Sequence, residues 1–276
     1  MAYSLSNTRA AYRRAKVFGE ELLAAGDAIV ASGGVTVLEP YQVIFPTMYG
    51  WWRFINHSAR LLWQATESGF SAEVSALMRN IVDHTYSMVW LADVGEEGLV
   101  ALEDARAEGI WHIYEEAKKA GWTTPPETDL PPVPVEPSDP AERKRYRKLK
   151  GEITTFVNLT TAFKAEDMYV VYRHLSDYTH AGAVTAGRYA KPTGDGKFVL
   201  TDMARSLGAV DAIWTTASLI QAGHALSRMV EGDPMRSLLE KAAKDMGLPS
   251  PEHLVPVRRQ KEKKQGKKAK GATAKS

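Results

Sequence analysis

Apolar positions recur at three- and four-residue steps through most of the chain, the spacing that lines one face of an α-helix. Residues 72–93 give the cleanest case. Val74, Leu77, Met78, Ile81, Thr85, Met88, Val89 and Ala92 form one stripe, with Ser71 placed as N-cap. The same period predicts helices over 5–29, 48–67, 97–120, 142–163, 165–180 and 202–231, and a short last one ending near Gly247. Ser32-Gly33-Gly34 ends the first, and residues 35–46, with two prolines, are too punctuated for a helix. In residues 188–200 the helical period gives way to short extended runs around Asp195-Gly196, which predicts a β-hairpin. The expected fold class is all-α, a helical bundle with a Pro-rich loop and a small β-hairpin insertion.

Seven of the fourteen prolines fall between Thr123 and Pro140. Proline has no N–H and clashes inside a helix, so this stretch is a linker or a surface loop. Residues 1–120 read as the N-terminal helices of the bundle and 121–141 as the Pro-rich linker or loop. Residues 142–250 follow as the C-terminal helices of the same bundle and 251–276 as a disordered basic tail. A single bundle is preferred over two domains, because the first half alone would leave wide apolar faces uncovered.

Composition narrows the function classes. There is no cysteine, so disulfides, thiolate metal sites and cysteine nucleophiles are excluded. No stretch approaches the roughly 20 apolar residues of a membrane span, and the N-terminus lacks the apolar core of a secretory signal. A cytoplasmic protein is expected. The net charge of +2 hides an asymmetry. From Val257 onward nine Lys and Arg stand against Glu262 alone, so the tail is +8 and the rest −6. Such a tail is either an arm for RNA or another polyanion or a tolerated solvated extension. Phosphate-binding glycine loops and the His-Glu-x-x-His and Glu-x-x-His patterns are missing. No metal and no cofactor are expected.

Two helices carry polar sets. Arg79 and Asp83 are four apart, with Asn80 and His84 in the adjacent row. Further on, Tyr169, Arg173, Asp177 and His180 rise in steps of four, four and three along one face, while Met168, Val171, Tyr172 and Leu175 face inward. An Asp beside a His fixes its tautomer and suits it to acid–base work, and an Arg nearby holds a phosphate or a developing negative charge. Buried inter-helix networks account for the same residues without chemistry.

Arg79-Asn80-Ile81-Val82-Asp83-His84, and Arg173-His174 followed after five residues by His180, resemble the Arg-x4–6-His motif of HEPN-domain proteins. That resemblance implies a small helical bundle and, in many members, a metal-independent RNase of defence or toxin systems. There the Arg and His of two protomers meet at a dimer interface and cleave RNA through the 2′-hydroxyl. The segment 172–180 is also similar to the Tyr-x2-Leu-Ser-x3-His signature of a group of bacterial helical proteins with no assigned activity. Those carry an Arg followed four residues later by an acid in an earlier helix, as Arg79 and Asp83 do here, although Glu is the acid expected. Three functions follow. One is an enzyme on RNA, with Arg173 as clamp, Asp177 as orienter and His180 as acid or base, supported by Arg79, Asn80, Asp83, His84 and Tyr169, and working as a homodimer. The second is a non-catalytic binding module, and the third a structural bundle whose Arg/Asp/His sets hold helices together.

Overall fold

A computed structural model describes residues 8–70, 72–187, 189–201 and 209–259. Among these the chain is all-α apart from one hairpin. The helices are α1 (Arg9–Ala31), α2 (Phe45–Glu67), α3 (Ser75–Val94), α4 (Glu96–Lys119), α5 (Pro140–Thr154), α6 (Phe156–Phe163), α7 (Glu166–Ser176), α8 (Ala183–Ala186), α9 (Ala209–Ser227) and α10 (Arg236–Asp245). Strands β1 (Ala190–Gly194) and β2 (Lys197–Leu200) pair antiparallel. Asp195 and Gly196 both take positive φ, as a tight hairpin turn of this twist requires. The helix expected over 202–231 is described from Ala209, and its first residues, the N-cap expected at Ser71 and residues 260–276 of the basic tail lie outside the described part.

Local chemistry explains the boundaries. Thr8 caps α1 by accepting from the Ala11 N–H, and Asp139 caps α5 by accepting from Ala141 and Glu142. Pro46 sits in the first turn of α2, where its missing N–H costs nothing, so that helix begins three residues earlier than its pattern suggests. The single helix expected over 142–163 is two. Thr155 adopts an extended backbone and its hydroxyl accepts from Asn158 N–H, which ends α5 and starts α6.

α3 lies at the centre, packed by α2, α4, α6, α7 and α9, and its residues 85–92 are all buried. Its stripe therefore widens to the whole helix surface in the second half. One hydrophobic core runs from Phe18 and Leu22 through Trp52, Ile81 and Trp90 to Phe156, Leu175, Ile220 and Leu239, so helices from both halves of the chain share it. The Pro-rich loop lies back on the bundle. Trp111 donates to the Pro131 carbonyl at 2.9 Å, and Glu136 pairs with Arg147 at 2.6 Å. Residues 251–259, assigned to the tail by charge, also pack on the bundle, with Gln221 accepting from the N–H groups of His253 and Leu254. Among the described residues no helix is long and apolar enough to cross a membrane.

Candidate functional site

α7 buries Met168 and Leu175, with Val171 and Tyr172 half-buried, which is the inward face its period predicts. It ends at Ser176, four residues short of His180. At this end Ser176 Oγ donates to the Tyr172 carbonyl and Thr179 Oγ1 to the Ser176 carbonyl, local bonds of the kind that weaken a helix slightly. The chain tightens into three-residue turns, Tyr178 N–H to Leu175 O and Thr179 N–H to Ser176 O, with Asp177 as C-cap. Thr185 Oγ1 in α8 holds this turn by donating to the carbonyls of Asp177 and His180 at 3.3 and 3.2 Å.

The four-residue stripe expected on one helical face is thereby divided. Tyr169 and Arg173 remain on α7, Asp177 caps it, and His180 follows in the turn. Arg173, Asp177 and His180 are all exposed. Among the described residues no hydrogen bond or ion pair joins the three side chains to one another. Tyr169 is half-buried and stacks on Tyr172, centroids 6.4 Å apart.

The earlier set is built differently. Arg79 Nη2 donates to Tyr172 Oη at 2.7 Å, and its guanidinium lies 4.6 Å from the centroid of the same ring. Tyr172 in turn stacks on Phe156 at 4.2 Å. Arg79 thus ties α3 to α7 and α6. Asp83 is half-buried, and burial pushes its carboxyl above the usual range, against the opposing pull of His84 and Arg79. His84 Nδ1 donates to the Asn80 carbonyl at 2.8 Å, and its ring stacks on Phe54 at 4.5 Å and meets Trp51 edge-on. So the structure joins Arg79 to Tyr172 rather than to Arg173. Tyr172 is the residue that the motif reading left among the inward packing positions. Its signal was visible: a tyrosine on an apolar stripe carries a hydroxyl that needs a partner when buried.

A third constellation was missed altogether. The buried carboxylate of Asp93, whose side chain is 4% exposed, accepts from Arg258 through one oxygen and from Arg259, at 2.6 Å, through the other. Arg258 also reaches Glu152, and Arg259 reaches Glu252, which pairs with Arg228. Trp90 Nε1 donates to Glu152 at 2.8 Å. Two of the arginines counted into the basic tail are therefore part of an ion-pair chain that links three acids and three arginines, with Lys148 also reaching Glu152. Among the described residues no group of three His, Asp or Glu is placed to hold a metal ion.

No protein-family model, curated protein or solved structure matches this chain.

Proposed function

We propose that the chain is a HEPN-like helical protein that acts on RNA as a metal-independent RNase, with the exposed end of α7 as its working surface. The observation that carries this reading is the contrast between the two motif sets. Arg79 is engaged with Tyr172, whereas Arg173 in the last turn of α7, its C-cap Asp177 and His180 in the turn after it are exposed, open to an incoming strand. Arg173 would neutralise the scissile phosphate. His180 would take the proton of the 2′-hydroxyl as its oxygen attacks phosphorus, the bond to the 5′-oxygen breaks, and that oxygen takes a proton. His180 of a second copy would supply that proton in the homodimer the resemblance implies. The lysine-rich residues 260–276 would add salt-dependent affinity for the backbone.

A second reading, a non-catalytic binding module on the same surface, draws support from one observation. No hydrogen bond among the described residues runs from Asp177 to His180, so the imidazole lacks the orienting contact that acid–base work favours. Incubation of total RNA with the purified protein separates the two. Cleavage that persists in EDTA and disappears in His180→Ala, at an unchanged melting temperature, is the expected result. Intact RNA, retained equally by wild type and His180→Ala, would sink the RNase reading in favour of the binding module.

A further inference from the structure

Strand β2 reads Lys197-Phe198-Val199-Leu200 and is exposed at every position. Phe198 is 61%, Val199 53% and Leu200 78% exposed. Side chains alternate across a strand, so these consecutive apolar residues put apolar groups on both faces. A hairpin without a covering layer is marginal in water. Its base is anchored, since Tyr189 Oη donates to Glu73 just ahead of α3. Among the described residues the sheet has these two strands alone, so each keeps one unpaired edge.

The two edges differ. Lys191 lies opposite Val199, Pro192 opposite Phe198 and Ala190 opposite Leu200, and Thr201 N–H donates to the Tyr189 carbonyl at 2.8 Å. Hydrogen-bonded and non-hydrogen-bonded pairs alternate along an antiparallel ladder. Tyr189–Thr201 and Lys191–Val199 are therefore the hydrogen-bonded pairs. The N–H and C=O groups of Phe198 and Leu200 then point away from β1, along the free edge of β2. On the free edge of β1 the matching position is Pro192, which has no N–H to offer. One edge is open and the other is blunted.

The open edge is its own complement. Laid antiparallel against a second copy with Val199 on the two-fold axis, it sets Phe198 of each copy opposite Leu200 of the other. The outward-facing backbone groups of both copies then meet in hydrogen-bonded pairs. Val199 meets Val199 on one face, and on the other Phe198 packs beside Leu200 twice, in rows that Pro192 and Ala190 extend. Lys197 of each copy falls opposite Thr201, which keeps like charges apart, whereas parallel pairing would put Lys197 beside Lys197. The resulting four-stranded sheet ends on both sides in a blunted β1 edge, so association closes at two copies and does not run on as a fibre. We propose that β2 is a self-association edge, through which two copies of this chain pair antiparallel about Val199. The homodimer invoked for the α7 surface gains a contact here. The pairing itself rests on the hairpin alone, and a dimer that leaves RNA intact would not disturb it. One strand pair is small beside the roughly 800 Å2 per partner of a standard interface, so the dimer forms as concentration rises.

The chain has no cysteine, which makes cross-linking a test of the register. In a non-hydrogen-bonded pair the Cα atoms lie about 4.5 Å apart, within disulfide reach. Val199→Cys should therefore run as a covalent dimer under oxidising conditions. Lys197→Cys should not, because its two copies would stand roughly 13 Å or more apart along the strands. Sedimentation of the wild type should show dimer growing with concentration. Val199→Lys, which sets two ammonium groups face to face at an exposed position, should stay monomeric at an unchanged melting temperature. A wild type that is monomeric to millimolar concentration, a dimer that survives Val199→Lys, or Lys197→Cys linking as readily as Val199→Cys would overturn the pairing.

Discussion

Gly19 and Gly26 lie seven residues apart inside α1, where glycine costs about 1 kcal/mol relative to alanine. The rings they face explain their presence. A Cβ on Gly19 would stand 1.9 Å from Trp63 Cη2, and one on Gly26 would stand 3.1 Å from the Trp52 ring. Gly50 in α2 has nothing within 4 Å of the same position. Gly19→Ala should therefore lower stability by about 1–3 kcal/mol through overpacking. Gly50→Ala should raise it by about 0.5–1 kcal/mol by restricting the unfolded chain. Urea denaturation of the two variants checks both signs at once. That a glycine interrupts a helical period is readable in the sequence. Which ring it admits is not, because Trp63 is 44 positions away and several tryptophans compete for the place.

At the level of elements, the two Arg…His sets make opposite predictions. Arg79→Ala removes a hydrogen bond and a cation–π contact that join α3 to α7, and should cost about 2–3 kcal/mol. Arg173→Ala alters an exposed residue and should stay within about 0.5 kcal/mol of wild type. Thermal melts of the pair suffice, and equal losses would refute the division drawn between them. In sequence the sets look alike, each an Arg followed by an Asp four residues later and then a His. Periodicity placed Tyr172 on the inward face correctly but carried α7 on to His180, because a 3.6-residue stripe continues through that position. What it could not weigh was the switch to three-residue turns after Ser176, with Tyr178 N–H on Leu175 O and Thr179 N–H on Ser176 O, which takes His180 off the stripe.

Over the whole molecule, residues 251–259 act as a strap across the bundle, and a half-buried histidine makes that strap sensitive to pH. Burial pushes His253 from 6.5 down to about 4, outweighing hydrogen bonds with the backbone of Pro251 and Ser250, and burial lowers the neighbouring His224 as well. The native chain keeps His253 neutral where the unfolded chain is already protonated. Unfolding then takes up a proton between about pH 6.5 and 4, and stability falls as pH drops through that window, by up to about 3 kcal/mol. Denaturation midpoints across that range should slope accordingly, and His253→Gln should flatten the slope. The local pattern of the chain by itself determined the helical class, the hairpin at Asp195-Gly196 and the Pro-rich excursion. Each of these follows from period, turn chemistry and missing N–H groups over a few neighbouring residues. Only the tertiary structure decided which Arg…His set is tied to a neighbouring helix, that Arg258 and Arg259 serve Asp93 rather than the tail, and that Asp27 of α1 meets Arg60 of α2. Those outcomes hang on contacts spanning 93 residues from Arg79 to Tyr172, 165 from Asp93 to Arg258 and 33 from Asp27 to Arg60. The energy of a charge depends on what surrounds it after folding, and a linear pattern does not carry that information.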